Sequence, residues 1–226
     1  MIRLLLIDNY DSFVFNALHL FQTQPGVELT VARNDESWLG CFARNAFDGV
    51  IIGPGPGSPE DDAYFGFCKH IINEHGRNGL PIFGICLGFQ GLFALFGGQL
   101  CPAKLPVHGK VSRLNLTSAG INSPLLAQIE TDTNVMRYHS IMADLTKPVP
   151  DCFELLAFAE PLDLNAKPSP NGQELMAIAH KHLPLFGVQF HPESFATDCG
   201  VDLARNFVEI CRGQSSVGSL CESNPS

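Results

Sequence analysis

Apolar and polar positions alternate between two periods along the first half of the chain. Residues 4–7 form an unbroken apolar run of strand length, and 12–22 then carry apolar positions at helical spacing, with Asp11 or Ser12 placed to cap a helix. Residues 28–33 return to strand character and 37–45 read as a short helix. The alternation repeats with a β-branched strand at 50–52, a helix from about 60 to 75, a strand at 81–83 and a densely apolar helix from 89. The order βαβαβαβα with short connections predicts a mostly parallel central sheet, because parallel neighbours need crossovers and here the crossovers are helices. The expected fold is α/β in three layers, with helices on both faces of the sheet.

From residue 98 the character changes. Residues 111–116, 134–138, 153–158 and 175–180 read as short strands separated by turn-rich segments, which predicts an antiparallel extension on one side of the parallel sheet. A strand at 185–190 and a helix at 201–211 close the domain. The Pro- and Asn-rich stretch 161–172 is expected to be a mobile surface loop, and the small polar residues of 214–226 a flexible tail or linker after a domain of residues 1–213.

Composition narrows the function classes. A chain of 226 residues that is 45% hydrophobic and only 16% charged is long enough for one large core. A net charge of −9 argues against nucleic acid or an anionic membrane surface as a partner. The sequence has neither a long apolar span nor a leader-like start, so a cytoplasmic protein is expected. Its eight cysteines are scattered, without CxxC or Cys/His spacing, which points to buried or surface thiols rather than a disulfide framework or a metal site. No metal and no cofactor is expected.

Candidate chemistry centres on Gly84-Ile85-Cys86-Leu87-Gly88, a G-x-C-x-G pattern between strand and helix. Glycines on both sides let strand and helix approach closely around a strained elbow residue. A thiol at that place meets the unpaired amides and positive dipole end of the helix, which favour the thiolate. The complementary base stands downstream, where the 185–190 strand ends at His191 and Glu193 follows two residues later. A carboxylate there can fix the imidazole tautomer so that the other ring nitrogen serves the thiol, giving a Cys86-His191-Glu193 triad. The breaker-rich loop Gly53-Pro54-Gly55-Pro56-Gly57 follows the 50–52 strand and can present backbone N–H groups to an oxyanion. Pro56 has no N–H, so Gly55 is the expected donor, with Leu87 as the second. Gln90, one helical turn after Cys86, shares its face.

With these residues the chain resembles the class I glutamine amidotransferases, and within them the glutaminase component that serves anthranilate synthase or 4-amino-4-deoxychorismate synthase. The match runs from Leu4 through Asp8-Asn9-Tyr10-Asp11-Ser12-Phe13, the Gly-Pro loop, the elbow, His108-Gly109-Lys110, Arg137-Tyr138-His139-Ser140 and His191-Pro192-Glu193-Ser194 to about Arg212. The resemblance implies a flavodoxin-like sheet, Cys86 as nucleophile, His191 as base and then acid, and Glu193 as its orienter. It implies glutamine contacts at Gly55, Gly57, Gln90, Ser140 and Ile141. The implied partners are L-glutamine and a chorismate-using synthase, subunit or fused domain, with the 9–12 block and the His108 and His139 segments as candidate contact rim. Other synthases, or an inactive partner-binding subunit of the same fold, are the alternatives. Phe89 departs from the histidine usual in this branch.

Overall fold

The first strand, β1 (Ile2–Asp8), shows why the sheet is buried on both faces. Leu4 and Leu6 pack with Phe21, Ile51, Phe83 and Phe207 on one side, and Leu5 and Ile7 with Val50, Ile52, Phe65 and Phe93 on the other, the period-two alternation that a strand imposes. In this computed structural model, residues 1–43, 45–160 and 173–221 are described, with side chains throughout except at 104–108 and 215–221. The remaining strands are β2 (Val27–Arg33), β3 (Gly49–Ile52), β4 (Ile82–Ile85), β5 (Leu100–Leu116), β6 (Thr133–Ala143), β7 (Phe153–Ala159), β8 (Glu174–His180) and β9 (Leu185–Val188). They form one nine-stranded sheet in the order β2-β1-β3-β4-β9-β8-β7-β5-β6. β2, β1, β3, β4 and β9 run parallel, and the β9–β8, β8–β7, β7–β5 and β5–β6 pairs are antiparallel.

Helices α1 (Val14–Gln22) and α6 (Gly200–Cys221) cover the first face, while α2 (Asp62–Phe65), α3 (Cys68–Ile71) and α4 (Leu87–Leu95) cover the second. A one-turn α5 (Ser118–Ile121) follows β5. The expected α/β fold with its antiparallel extension is the one observed.

Several boundaries differ from the sequence reading for local reasons. The helix expected at 60–75 is broken into α2, α3 and a π-turn at Ile72–Gly76. Gly66 takes φ 46° and lies so close to the Asn34 carbonyl that a Cβ would sit 2.4 Å from its oxygen, a conformation that ends a helix. Among the described residues of 37–45 there is only a 3₁₀ turn, at Ser37–Gly40. α1 starts at Val14 because Asp11 Oδ1 accepts from the Phe13 N–H at 2.8 Å and holds the preceding turn. β5 begins at Leu100, ahead of the strand read at 111, and pairs with β6 along most of its length across two register shifts. The strand read to 190 ends at Val188. α6 continues past 213 to Cys221, so the first part of the expected tail extends this helix. The loop expected at 161–172 lies outside the described residues.

Candidate active site

The carboxyl ends of β1, β3, β4 and β9 point to one edge of the parallel sheet, where open α/β sheets gather their ligands and catalytic groups. Cys86 leaves β4 there and stands as the N-cap of α4, with φ 50° and ψ −96°. For a residue with a Cβ this is a strained conformation, and its surroundings enforce it. The Cys86 N–H donates to the Val188 carbonyl of β9 at 2.8 Å, and its carbonyl accepts from Gln90 N–H at 3.0 Å. A Cβ on Gly84 would lie 2.4 Å from the Gly88 carbonyl carbon, and one on Gly88 2.3 Å from the Ile52 oxygen. Both glycines of the elbow are therefore demanded by close backbone approach.

His191 and Glu193 follow β9 and are buried. His191 Nδ1 and Glu193 Oε1 are 2.5 Å apart. The backbone holds the ring's position, since His191 N–H donates to the Met136 carbonyl at 2.9 Å and the Thr197 hydroxyl donates to the His191 carbonyl at 2.6 Å. Tyr138 meets the imidazole edge to face at 5.3 Å, and Phe13 at 6.2 Å. Burial pushes the imidazole down, but Cys86 and Glu193 beside it more than reverse this and hold its pKa well above the usual histidine value. Nε2 is buried without a hydrogen-bond partner of regular geometry, and Cys86 stands near enough to stabilise the imidazolium.

A cavity of about 390 Å³ opens over Cys86, within the roughly 300–1,000 Å³ of small-molecule pockets. Its walls include Gly55, Gly57, Gln90, Ser140 and Ile141, together with Tyr10, Asp11, Ser12, Tyr138 and His139. Leu87, His191 and Glu193 stand behind the wall, and Leu87 packs against Gly55. The fold thus brings every candidate site residue to one place. Burial raises the Asp11 carboxyl above its usual pKa, and the bond from Phe13 N–H opposes this.

The sequence reading missed two features. Gln189, fully buried between Val188 and Phe190, donates Nε2–H to Cys86 Sγ at 3.6 Å. The signal for it was a lone amide inside an apolar strand. The second is Arg137, fully buried, ion-paired with Glu174 and donating to Ser112 Oγ at 3.1 Å and to the Glu160 carbonyl at 3.3 Å. Arg137 Nε also donates to His139 Nε2 at 3.2 Å. Burial, then the charge of Arg137 and that of His191, push the His139 pKa down to about 3. His139 is thus a neutral, buried part of the pocket wall rather than of an exposed rim. Asn9 is buried as well, whereas Tyr10 and Ser12 of the 9–12 block are exposed. Among the described residues no three His, Cys, Asp or Glu side chains gather as metal ligands would, and no helix is long and apolar enough to cross a membrane.

Residues 5–211 match the family model for glutamine amidotransferase class-I. The chain belongs to the class I glutamine amidotransferases. As a member of that family it is an enzyme that uses a cysteine nucleophile. It is 38% identical over 213 residues to anthranilate synthase component 2 of Leptospira biflexa, across 91% of this chain and 98% of that one. It is 37% identical over 211 residues to aminodeoxychorismate synthase of Streptomyces pristinaespiralis, across 92% of this chain but 26% of that longer protein. A solved structure from Thermoplasma acidophilum, described as one of the subunits of GMP synthase, shares the fold with a TM-score of 0.79 at 23% identity, covering 97% of this chain and 98% of the other.

Proposed function

We propose that this amidotransferase hydrolyses L-glutamine through Cys86, His191 and Glu193 and passes the ammonia to a chorismate-using synthase. The observation that carries the reading is the strained Cys86 elbow set beside the buried His191–Glu193 pair at the floor of an amino-acid-sized cavity. The Cys86 thiolate adds to the side-chain amide carbon, and the N–H groups of Gly55 and Leu87 receive the developing oxyanion. The C–N bond then breaks as His191 gives its proton to the departing nitrogen, leaving a thioester. Water adds to that thioester while His191 takes back a proton, and cleavage of the C–S bond releases glutamate and the thiolate. Glu193 keeps Nδ1 as the hydrogen-bonding side throughout. Gln90 donates its amide hydrogens to the Ile141 carbonyl at 2.8 Å and to Gln189 Oε1 at 3.2 Å, so its own oxygen remains to accept from the substrate's ammonium group, with Ser140 and Ile141 beside it.

The synthase partner is supported by two relatives named for anthranilate and aminodeoxychorismate formation, one of them a longer chain of which this one spans about a quarter. The test is glutamate release by the purified chain, alone and with each chorismate-using synthase plus chorismate, with ammonium salt as bypass. Stimulated release and aromatic amine formation with one synthase support the reading. Full activity that is indifferent to every such synthase removes the partner assignment, and no release under any condition removes the glutaminase assignment.

A further inference from the structure

We infer that Gln189 is a catalytic hydrogen-bond donor to the Cys86 sulfur, its amide aimed by Gln90 and, through Gln90, by the backbone carbonyl of Ile141; the inference rests on Cys86 being the nucleophile. Gln189 has no exposed surface, and a buried carboxamide is costly unless both of its ends are bonded. Its backbone is held just beyond β9 by the N–H bond to the Met176 carbonyl at 2.9 Å. From there Oε1 accepts from Gln90 Nε2 at 3.2 Å, and Nε2 lies 3.6 Å from Cys86 Sγ, a bonding distance for the larger sulfur atom.

A carboxamide can be turned over without changing its shape, so its polarity has to come from a group that cannot. The Ile141 carbonyl is such a group, being an acceptor only. It takes one hydrogen of Gln90 Nε2 at 2.8 Å, and the second goes to Gln189 Oε1. Gln189 is then obliged to turn its NH₂ toward the sulfur. Reversing the chain would set the Gln90 oxygen against the Ile141 oxygen and the Gln189 oxygen against the sulfur lone pairs. Three elements, β6, α4 and the end of β9, thus converge to fix one donor on one atom.

A donor on sulfur favours the thiolate over the thiol, and favours it again when the thioester breaks and sulfur leaves as an anion. Stabilising the thiolate also lowers its intrinsic nucleophilicity, with a Brønsted coefficient of about 0.4–0.5. These opposed effects give a signature that misfolding or loosened packing cannot produce.

The experiment alkylates the full chain with iodoacetamide from acid to alkaline pH and follows the Cys86 peptide by mass spectrometry, comparing wild type with Gln189→Met, Gln189→Glu and Gln90→Met. For Gln189→Met the midpoint of the rate profile is expected to move up by about one pH unit. The neutral-pH rate then falls about threefold while the alkaline plateau rises about threefold, so the two profiles cross. Gln189→Glu, with an acceptor in place of the donor, moves the midpoint further in the same direction. Gln90→Met, which frees the Gln189 amide to turn, moves it less, and this variant carries the test if the Gln189 variants do not fold. Profiles that superimpose, or that differ by one common factor at every pH, overturn the assignment. Glutamate release by the wild type is measured alongside: its absence fails the glutaminase reading, whereas release with unmoved profiles overturns the role of Gln189 alone.

Discussion

Replacing Glu193 by glutamine changes the charge and one donor at nearly constant shape, and the size of both effects follows from the geometry. The Nδ1 to Oε1 separation is 2.5 Å in a buried setting. A hydrogen bond to a charged group contributes about 1.5–3 kcal/mol and a neutral one about 0.5–1.5, so losing the charge costs about 1–1.5 kcal/mol. The new NH₂ adds a second cost whichever way it turns. Glu193 Oε2 is buried without a partner, and an amide nitrogen placed there is an unsatisfied donor worth about 1–3 kcal/mol. Turned toward His191 instead, it makes Nδ1 an acceptor and moves the ring proton to Nε2, the nitrogen that accepts from Cys86 in the proposed mechanism. The sum, about 2–4 kcal/mol, corresponds to a Tm lower by about 5–15 °C for a domain of this size. Felt equally in the transition state, it corresponds to a turnover lower by about 30- to 1,000-fold.

The same substitution has a pH signature. Because the His191 pKa is held above its unfolded value, the stability it contributes is fully present below about pH 6.5 and is lost as pH rises through the raised folded value. Removing the Glu193 charge lowers that folded value. The Tm difference between wild type and variant should therefore be widest at mildly acidic pH and close as the solution becomes alkaline. Thermal melts across pH, with steady-state glutamate release at each, make the measurement. Turnover within twofold of wild type, together with a Tm difference that ignores pH, would refute the reasoning.

Two further outcomes are expected. Cys86→Ser should lower ammonia release on the order of 10³-fold or more at unchanged melting temperature, since serine fits the elbow but is no thiolate at neutral pH; measurable near-normal release would remove Cys86 as nucleophile. Arg137→Met, which leaves Glu174 buried without its guanidinium, should cost about 3–5 kcal/mol in denaturant unfolding, and Arg137→Met with Glu174→Leu should recover part of it, whereas an equal or larger loss in the double variant would show that the pair is not the source.

What the sequence made legible was whatever rests on local chemistry. The apolar runs marked β1, β3, β4 and β9 because both faces of the sheet are buried there, as Leu4 to Ile7 demonstrate, whereas the edge strand β2 is largely exposed. The elbow was readable because close backbone approach leaves only glycine as a solution at 84 and 88. Long-range pairing decided the rest. Residues 100–110 carry Pro102, Pro106 and Gly109, which read as breakers, yet β5 runs through them with its register shifting beside β6. The roles of Gln189 and Arg137 were not legible along the chain because their partners, Cys86, Gln90 and Glu174, are far away in sequence. The end of the 60–75 helix pattern at Gly66 depended on the Asn34 carbonyl, which no window around residue 66 contains.

The two imidazoles of the site are set to opposite protonation states, and that has a measurable cost. His139 accepts from Arg137 Nε, and although Glu174 Oε2 is 3.9 Å from its Nε2, the guanidinium beside it and burial hold it neutral with a pKa pushed down to about 3. A cationic His139 would also oppose the charge on His191, so its neutrality favours the imidazolium form that the proposed mechanism uses as its acid. In the unfolded chain His139 binds a proton below about pH 6.5, and the folded chain declines it until about pH 3. Stability present above the unfolded value is therefore lost as pH falls through that window, at about 1.4 kcal/mol per pH unit. His191, charged in both states there, adds no slope. His139→Gln keeps an acceptor for Arg137 but cannot titrate, so its denaturant-unfolding free energy should fall less steeply from pH 6 toward pH 4, by about 1.4 kcal/mol per unit. An acid slope identical to that of the wild type would mean that His139 is protonated in the folded enzyme, and the division of labour between the two rings would have to be abandoned.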